Sequence, residues 1–292
     1  MDIAGRTVAV TGAGSGIGAA LAIAAAQRGA AAVAVLDINL EAAEDTASRI
    51  REHGVASAAF ACDVADLAQT ERVAAEVVDT LGVPGLVCAN AGVNTPATAL
   101  LDGNLGDLQW ALSVNVIGTW ATIKSFGQHL RSSSEPGWFL VTASEHAVGV
   151  PFAGNGFYTA SKHAVLGLSD VLRRELPAHL GVSVMIPGLA ATGLWQSGAL
   201  RPADYGGPLP ATEAENRIIA RGMDPDLVAS RALDGVADER FLIATHHHVR
   251  DYSDERAADI AAAFEALDPG DDPSFDLATV IAAMRSKRSE RT

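Results

Sequence analysis

The sequence predicts an α/β fold: one doubly wound parallel sheet of about seven strands with helices on both faces. Three observations carry that reading. Short apolar, β-branched runs alternate with helical patterns from Arg6 to about Thr245. No Pro/Ser-rich linker interrupts them, and the first run passes directly into a glycine-rich turn and an alanine-rich helix. A chain of 292 residues can form one large α/β domain or two small ones. The unbroken rhythm favours a single domain over 1–292, with an irregular segment at 189–223 and a helical extension at 249–292.

The first strand, Arg6 to Thr11, runs into Gly12-Ala13-Gly14-Ser15-Gly16-Ile17-Gly18, and a helix follows from Ala19 to Arg28. This strand–turn–helix unit is of the Rossmann type. It aims free backbone N–H groups and the positive end of a helix dipole at a pyrophosphate, with Gly12, Ser15, Gly16, Ile17 and Gly18 as the contact candidates. Glycine is needed because the turn is tight and the backbone must approach phosphate with no Cβ between them. The second strand, Ala32 to Leu36, ends in Asp37. A carboxylate there can accept hydrogen bonds from adenosine ribose hydroxyls and repels a 2′-phosphate. Neither Ser15 nor Ile38 supplies a cation to neutralise such a phosphate, so NAD is favoured over NADP.

Further along, helices are predicted at Leu40 to Glu52 and Leu67 to Leu81, and strands at Ala56 to Ala61 and Gly85 to Ala89. A long helix from about Leu105 to Leu130 carries Asn115, and a fifth strand, Trp138 to Thr142, delivers Ser144. A helix from Gly156 to Leu180 precedes the sixth strand, Val182 to Ile186, while Asp224 to Ala237 and Arg240 to Thr245 form a last helix and a seventh strand. Tyr158 and Lys162, four residues apart on a helix, share a face. An ammonium beside a phenol favours the phenolate, bringing a group that titrates near ~10 closer to use as a general base. The candidates all fall at the C-terminal edge of the predicted sheet, where open α/β sheets bind ligands.

The glycine spacing Thr11-Gly12-x-x-x-Gly16-x-Gly18, followed in order by these motifs, resembles the short-chain dehydrogenase/reductase superfamily in its compact single-domain branch. The resemblance implies roles residue by residue. Asp63-Val64 matches the pair that contacts adenine, and Asn90-Ala91-Gly92 the motif that stabilises the central sheet beside the cofactor. Asn115, Ser144, Tyr158 and Lys162 match the catalytic set, and Pro187-Gly188 with Thr192 the segment beside the nicotinamide. It further implies that Lys162 also holds the nicotinamide ribose, that Asn115 holds a water linking Lys162 to solvent, and that 189–223 closes over the substrate. Read from the residues alone, that Gly/Pro-rich segment is either such a lid or a structural excursion whose Trp195 and Tyr205 pack on the body. The longer tail and the Arg201-Pro202-x-x-Tyr205-Gly206 stretch resemble a subgroup that includes bacterial Cα-dehydrogenases of lignin-type aryl ethers.

Composition narrows the rest. A net charge of −14 argues against nucleic acid or an anionic membrane as partner. No apolar run reaches 18 residues, and the first strand starts too close to Met1 to leave room for a secretory signal. Cys62 and Cys88 lie in apolar strand patterns and read as buried thiols, which suits a cytoplasmic protein. His246-His247-His248 suggests a metal, but neighbouring side chains on an extended chain alternate in direction, and none is expected. His146 reads as a packed or solvent-facing histidine, and His163 points off the catalytic face.

The expectation is an NAD-dependent oxidoreductase acting on a bulky aryl or alicyclic secondary alcohol or its ketone. A biosynthetic ketoreductase and a non-catalytic dinucleotide-binding sensor are the alternatives. A homodimer or homotetramer is implied by the resemblance, through the helices containing Asn115 and Tyr158.

Overall fold

A computed structural model describes residues 1–265 and 276–281. Residues Met1–Tyr252 form one compact unit, and a second begins at Ser253. The first unit is built on a seven-stranded, all-parallel sheet. Its strands are β1 Thr7–Thr11, β2 Ala32–Asp37, β3 Ala56–Ala61, β4 Leu86–Ala89, β5 Gly137–Thr142, β6 Leu180–Ile186 and β7 Leu242–Ala244, in the order β3-β2-β1-β4-β5-β6-β7. The chain leaves β3 at one edge and re-enters beside β1, so the order reverses between β1 and β4. A crevice opens at that point, at the C-terminal ends of the strands.

Alternation along the strands explains two-sided burial. Val8 and Val10 of β1, Val33 and Val35 of β2, and Leu86 and Cys88 of β4 face one core. Ala9, Ala34, Leu36, Val87 and Ala89 face the other. The first core is closed by α1 (Gly16–Gln27), α2 (Leu40–Glu52) and, through Ala229, Ala232, Leu233 and Val236, the later helix Pro225–Ala237. The second is closed by α3 (Leu67–Leu81) through Val73 and Val77 and by later helices through Phe126, Leu130 and Val165. Helix α1 is alanine-rich and largely buried, as an apolar helix between a sheet and other helices must be.

Four elements depart from their predicted bounds. The long helix from Leu105 is three pieces: α4 (Leu105–Ala111), one π-helical turn (Leu112–Ile117) around Asn115, and α5 (Gly118–Ser133). Helix α6 (Gly156–Glu175) stops five residues before Leu180, because Leu176 precedes Pro177 and takes extended angles (φ −64°, ψ 139°). Helix α1 starts earlier than Ala19, its first turn using Gly16 and Gly18. Strand β7 keeps only the central three of the six residues predicted.

The irregular segment holds short 3-10 turns at Gly193–Leu200 and Ala203–Tyr205, then α7 (Glu213–Ile219). Helix α7 opens with a capping box in which Thr212 and Glu215 satisfy each other's backbone N–H. Helices α8 (Pro225–Ala237) and α9 (Val249–Glu265) complete the numbered set. Of the predicted extension, α9 covers the helix expected from Asp254, and residues 277–281 are helical. Positions 266–275 and 282–292 lie outside the described residues.

A buried ion pair fixes the start of this segment. Arg201 and Asp107 are both buried and hydrogen-bonded, and Arg201 Nε donates to the Gly207 carbonyl at 3.0 Å. Gly206 turns beneath the guanidinium with φ +112°, a conformation that favours glycine. Replacing one member of such a pair leaves a buried charge alone. Arg201→Met is expected to lose ~3–5 kcal/mol in a urea melt, with most of it regained in Arg201→Met/Asp107→Leu. Equal stability of the single variant and the parent would contradict this anchoring.

Candidate active site

The crevice is a cleft of about 1660 Å³ running from the glycine turn to the base of the 189–223 segment. Single drug-sized ligands occupy roughly 300–1,000 Å³, so this one has room for a dinucleotide and a second molecule. Its lining includes Gly12, Ser15, Gly16, Ile17, Gly18, Asp37, Asp63, Val64, Asn90, Ala91, Gly92, Ser144, Tyr158, Lys162, Pro187, Gly188 and Thr192. Of the residues singled out from sequence, Asn115 stands behind the wall, fully buried.

At the nucleotide end the backbone geometry leaves no room for side chains. Gly12 has φ +64°, and a Cβ there would lie 2.8 Å from Ala91 Cα. A Cβ on Gly18 would lie 2.0 Å from the Gly12 carbonyl oxygen. Ser15, the N-cap of α1, makes no side-chain capping bond, so it does not occupy the N–H groups of the first turn. Asp37 braces the turn from the next strand: Gly14 N–H donates to its Oδ2 and Asn39 N–H to its Oδ1, both at 2.9 Å. Asp63 Oδ1 accepts from Ala65 N–H at 2.9 Å, and Val64 is buried against Gly118. Thr192 closes on Gly16 from the far side, where a Cβ would lie 3.1 Å from its side chain.

Ser144, Tyr158 and Lys162 form the centre of the cleft. All three line the cleft, and Lys162 Nζ donates to the Thr142 carbonyl at 3.0 Å, 5.7 Å from the Tyr158 ring centroid. Asn115 Oδ1 accepts from Val93 N–H at 2.8 Å, while its Nδ2 donates to the Val93 carbonyl and to Ser161 Oγ at 2.9 Å. The position opposite Gly92 brings Asn115 Oδ1 and Lys162 Nζ together, at 3.2 and 3.4 Å from where a Cβ would stand.

Burial dominates the electrostatics here, which corrects a simple reading of the Tyr–Lys pair. Burial pushes the Tyr158 phenol up to about 12, assisted by Glu145 and opposed by the Ser144 hydrogen bond. Burial also brings the Lys162 ammonium down to about 8. The chain's own groups therefore keep the phenol protonated, because a dry pocket disfavours phenolate and ammonium alike.

Several cleft residues were not singled out from sequence. Glu145 Oε2 meets His248 Nε2 at 2.8 Å, and its acidity is weakened by burial despite that partner. His246 accepts from Gly188 N–H at 3.1 Å through Nδ1, so two of the three consecutive histidines face the cleft and His247 is exposed. The three histidines lie in the bend and turn after β7 and not on an extended chain, so strand alternation does not govern which of them face the cleft, and Glu145 as the partner was not legible. Among the described residues no three His, Cys, Asp or Glu side chains gather as a metal would need. His146 is packed, with Nδ1 2.7 Å from Thr159 Oγ1 and its ring edge-on to Phe152 and Tyr158. Desolvation, with His163 and Lys162 nearby, lowers it to about 4, so it is neutral at pH 7. Phe152 stacks with Trp195, and both line the cleft together with Tyr205.

Comparison with known proteins follows this geometry. Residues 6–201 match the short chain dehydrogenase family. The chain is 28% identical over 228 residues to the C alpha-dehydrogenase of Sphingobium sp. (strain NBRC 103272 / SYK-6), covering 76% of this chain and 74% of that protein. It is 32% identical over 200 residues to a 2,5-dichloro-2,5-cyclohexadiene-1,4-diol dehydrogenase of Sphingobium indicum, covering 67% and 76%. A short chain dehydrogenase/reductase from Burkholderia phymatum, solved in complex with NAD, superposes with a TM-score of 0.83 at 27% identity, covering 92% of this chain and 99% of that one. The chain belongs to the short-chain dehydrogenase/reductase family of oxidoreductases.

Proposed function

We propose that this oxidoreductase moves a hydride between NAD and the carbinol or carbonyl carbon of a bulky aryl or alicyclic substrate. The observation that carries the reading is the convergence of Ser144, Tyr158 and Lys162 in one cleft whose far end is the Asp37-braced glycine turn. The turn fits a dinucleotide on physical grounds: a Cβ would fill the space beside Gly12 and Gly18, and the first N–H groups of α1 face an open crevice. Gly12, Ser15, Gly16, Ile17 and Gly18 would hold the pyrophosphate, and Asp37 the adenosine ribose. Asp63 and Val64 would flank adenine, while Asn90, Ala91, Gly92, Pro187, Gly188 and Thr192 would border the nicotinamide half. A bound nicotinamide supplies the hydride acceptor or donor.

Tyr158 acts as the acid/base on the substrate oxygen in this scheme. During oxidation its phenolate form, reached once positive charge beside the phenol offsets burial, takes the alcohol proton as the carbon–oxygen double bond forms; during reduction the phenol returns that proton. Ser144 donates to the oxygen that carries developing charge. Lys162 holds a positive charge beside the phenol, and with a value near 8 it can itself exchange a proton at working pH. Asn115, adjacent to Lys162 and locked by Val93 and Ser161, holds that ammonium's surroundings fixed. The apolar lining and the cyclohexadiene diol named for the Sphingobium indicum relative support the bulky-substrate reading. Exposed Ile117, Trp120, Leu168 and Val171 on the π turn, α5 and α6 support a homodimer or homotetramer, which light scattering would read as two or four times the chain mass.

Two measurements test the scheme. Tyr158→Phe is expected to lower kcat by ~10²–10⁴ while cofactor affinity, read by fluorescence titration, stays within about threefold of the parent. Undiminished turnover would remove Tyr158 from the reaction. Asp37→Ser with Ile38→Arg is expected to shift the NADP/NAD ratio of kcat/KM toward NADP by on the order of 10–100-fold, the worth of one or two charge-assisted hydrogen bonds. A parent enzyme that already prefers NADP would overturn the role given to Asp37.

A further inference from the structure

Asn155 is the residue whose chemistry the fold leaves unused. It is 3% exposed, lines the cleft beside Phe152 and Tyr158, and its Oδ1 is buried with no hydrogen-bond partner. It stands at the N-cap of α6, yet its side chain makes no capping bond. The local backbone is held without it: Thr98 N–H donates to the Gly154 carbonyl at 2.7 Å, and Thr159 N–H to the Asn155 carbonyl at 2.9 Å. A buried carboxamide that does nothing for the fold costs stability, on the order of 1–3 kcal/mol per unsatisfied group. A leucine of nearly the same shape would avoid that cost.

The surroundings say what the carboxamide can meet. Asn155 lies three residues before Tyr158, at the entry to the same helix, and both line the cleft. Phe152 and Trp195 stack with centroids 6.1 Å apart, too close to admit a third ring, which needs about 7 Å. They form one continuous apolar wall instead. His146, edge-on to both Phe152 and Tyr158, has its Nδ1 engaged by Thr159. The cleft thus has an aromatic face and, lining it as well, a carboxamide whose oxygen is without a partner.

We infer that Asn155 is a specificity-determining residue that binds a second hydroxyl on the substrate's ring system, while the Phe152–Trp195 face takes the ring itself. A hydroxyl both donates and accepts, so it satisfies either end of the carboxamide. The favoured substrates are therefore hydroxylated aryl carbinols or ring diols rather than plain hydrocarbon alcohols. This inference rests on the alcohol/ketone reading above.

Binding is measured with acetophenone and its 3- and 4-hydroxy derivatives in the presence of NAD, by titration of Trp fluorescence, for the parent, Asn155→Leu and Asn155→Ala. Turnover is measured with the corresponding 1-phenylethanols. The parent is expected to favour a hydroxylated ligand by roughly tenfold or more, and both variants to bring the ratio to within about twofold of unity. Asn155→Leu, without ligand, is expected to raise Tm by about 2–4 °C. An undiscriminating parent, a ratio retained in both variants, or a fall in Tm of Asn155→Leu would each overturn the assignment, the last by making the carboxamide structural. If no alcohol is turned over while the binding ratio behaves as stated, the catalytic reading fails and the Asn155 subsite stands.

Discussion

The carboxamide of Asn90 ties the two halves of the site to one set of strand ends. Its Nδ2 donates to the Thr11 carbonyl at 3.0 Å, and its Oδ1 accepts from Thr142 Oγ1 at 3.0 Å. Its backbone N–H reaches Thr11 Oγ1 at the same distance. Central parallel strands that end beneath a cleft would otherwise leave polar backbone groups without partners. Here β1, β4 and β5 are closed off together by one side chain. The glycine turn departs from β1 just above it, and Lys162 anchors on the Thr142 carbonyl just beside it. Both ends of the cleft are therefore referenced to the same rigid edge. Close approach follows from the same tie: the Gly12 backbone meets Ala91, and a Cβ on Gly18 would reach Asn90 Nδ2 at 2.6 Å.

Above that edge, the pocket disfavours charge. Tyr158 is held protonated, His146 neutral, Lys162 weakened as a cation and Glu145 as an anion, with desolvation the largest cause in each case. A water-filled cleft would not do this. Such surroundings suit an apolar substrate, and they magnify each remaining dipole, so the Ser144 hydroxyl, which favours the Tyr158 phenolate, counts for more than it would at a surface. The arrangement also makes the phenol a poor base until further positive charge stands near it, which ties proton removal to assembly of the complete site.

Local signals were legible and distant ones were not. Strand alternation, the glycine turn and Asp37 follow from chemistry within a few residues of each other, and three element spans, Leu40–Glu52, Ala56–Ala61 and Leu67–Leu81, match their predicted bounds. The Leu176–Pro177 stop and the Thr212–Glu215 capping box were also local and could have been read. The π turn at Asn115 could not: one extra residue in a helical turn barely disturbs apolar periodicity over so short a stretch. Arg201 with Asp107 and Glu145 with His248 join positions 94 and 103 residues apart, and nothing local in sequence marks either partnership. Asn155 is the extreme case, since what distinguishes it is the absence of a partner in a buried place.

Pinning of the 189–223 segment decides where selectivity can reside. Ser197 Oγ accepts from Asn94 N–H at 2.9 Å, and Arg201 is locked by Asp107 and the Gly207 carbonyl. Trp195 lies between the Ser197 tie and the Ala191 N–H bond to the Met223 carbonyl at 2.8 Å, and its stack on Phe152 is set by the fold instead of by a ligand. A wall assembled in advance spares a substrate the ordering of its side chains, roughly 0.5–1.5 kcal/mol for each one. It also means that shape discrimination by this wall cannot be relaxed by adjustment of Trp195 alone. Residues 208–222 are tied more sparingly, chiefly through Leu209 N–H to the Gly198 carbonyl at 2.9 Å and the seating of Gly222 on Ala190. Ala211, Ile218, Arg221 and Gly222 of this later stretch nevertheless line the cleft, so its more sparing ties leave one wall of the cleft less firmly set than the wall that holds Trp195.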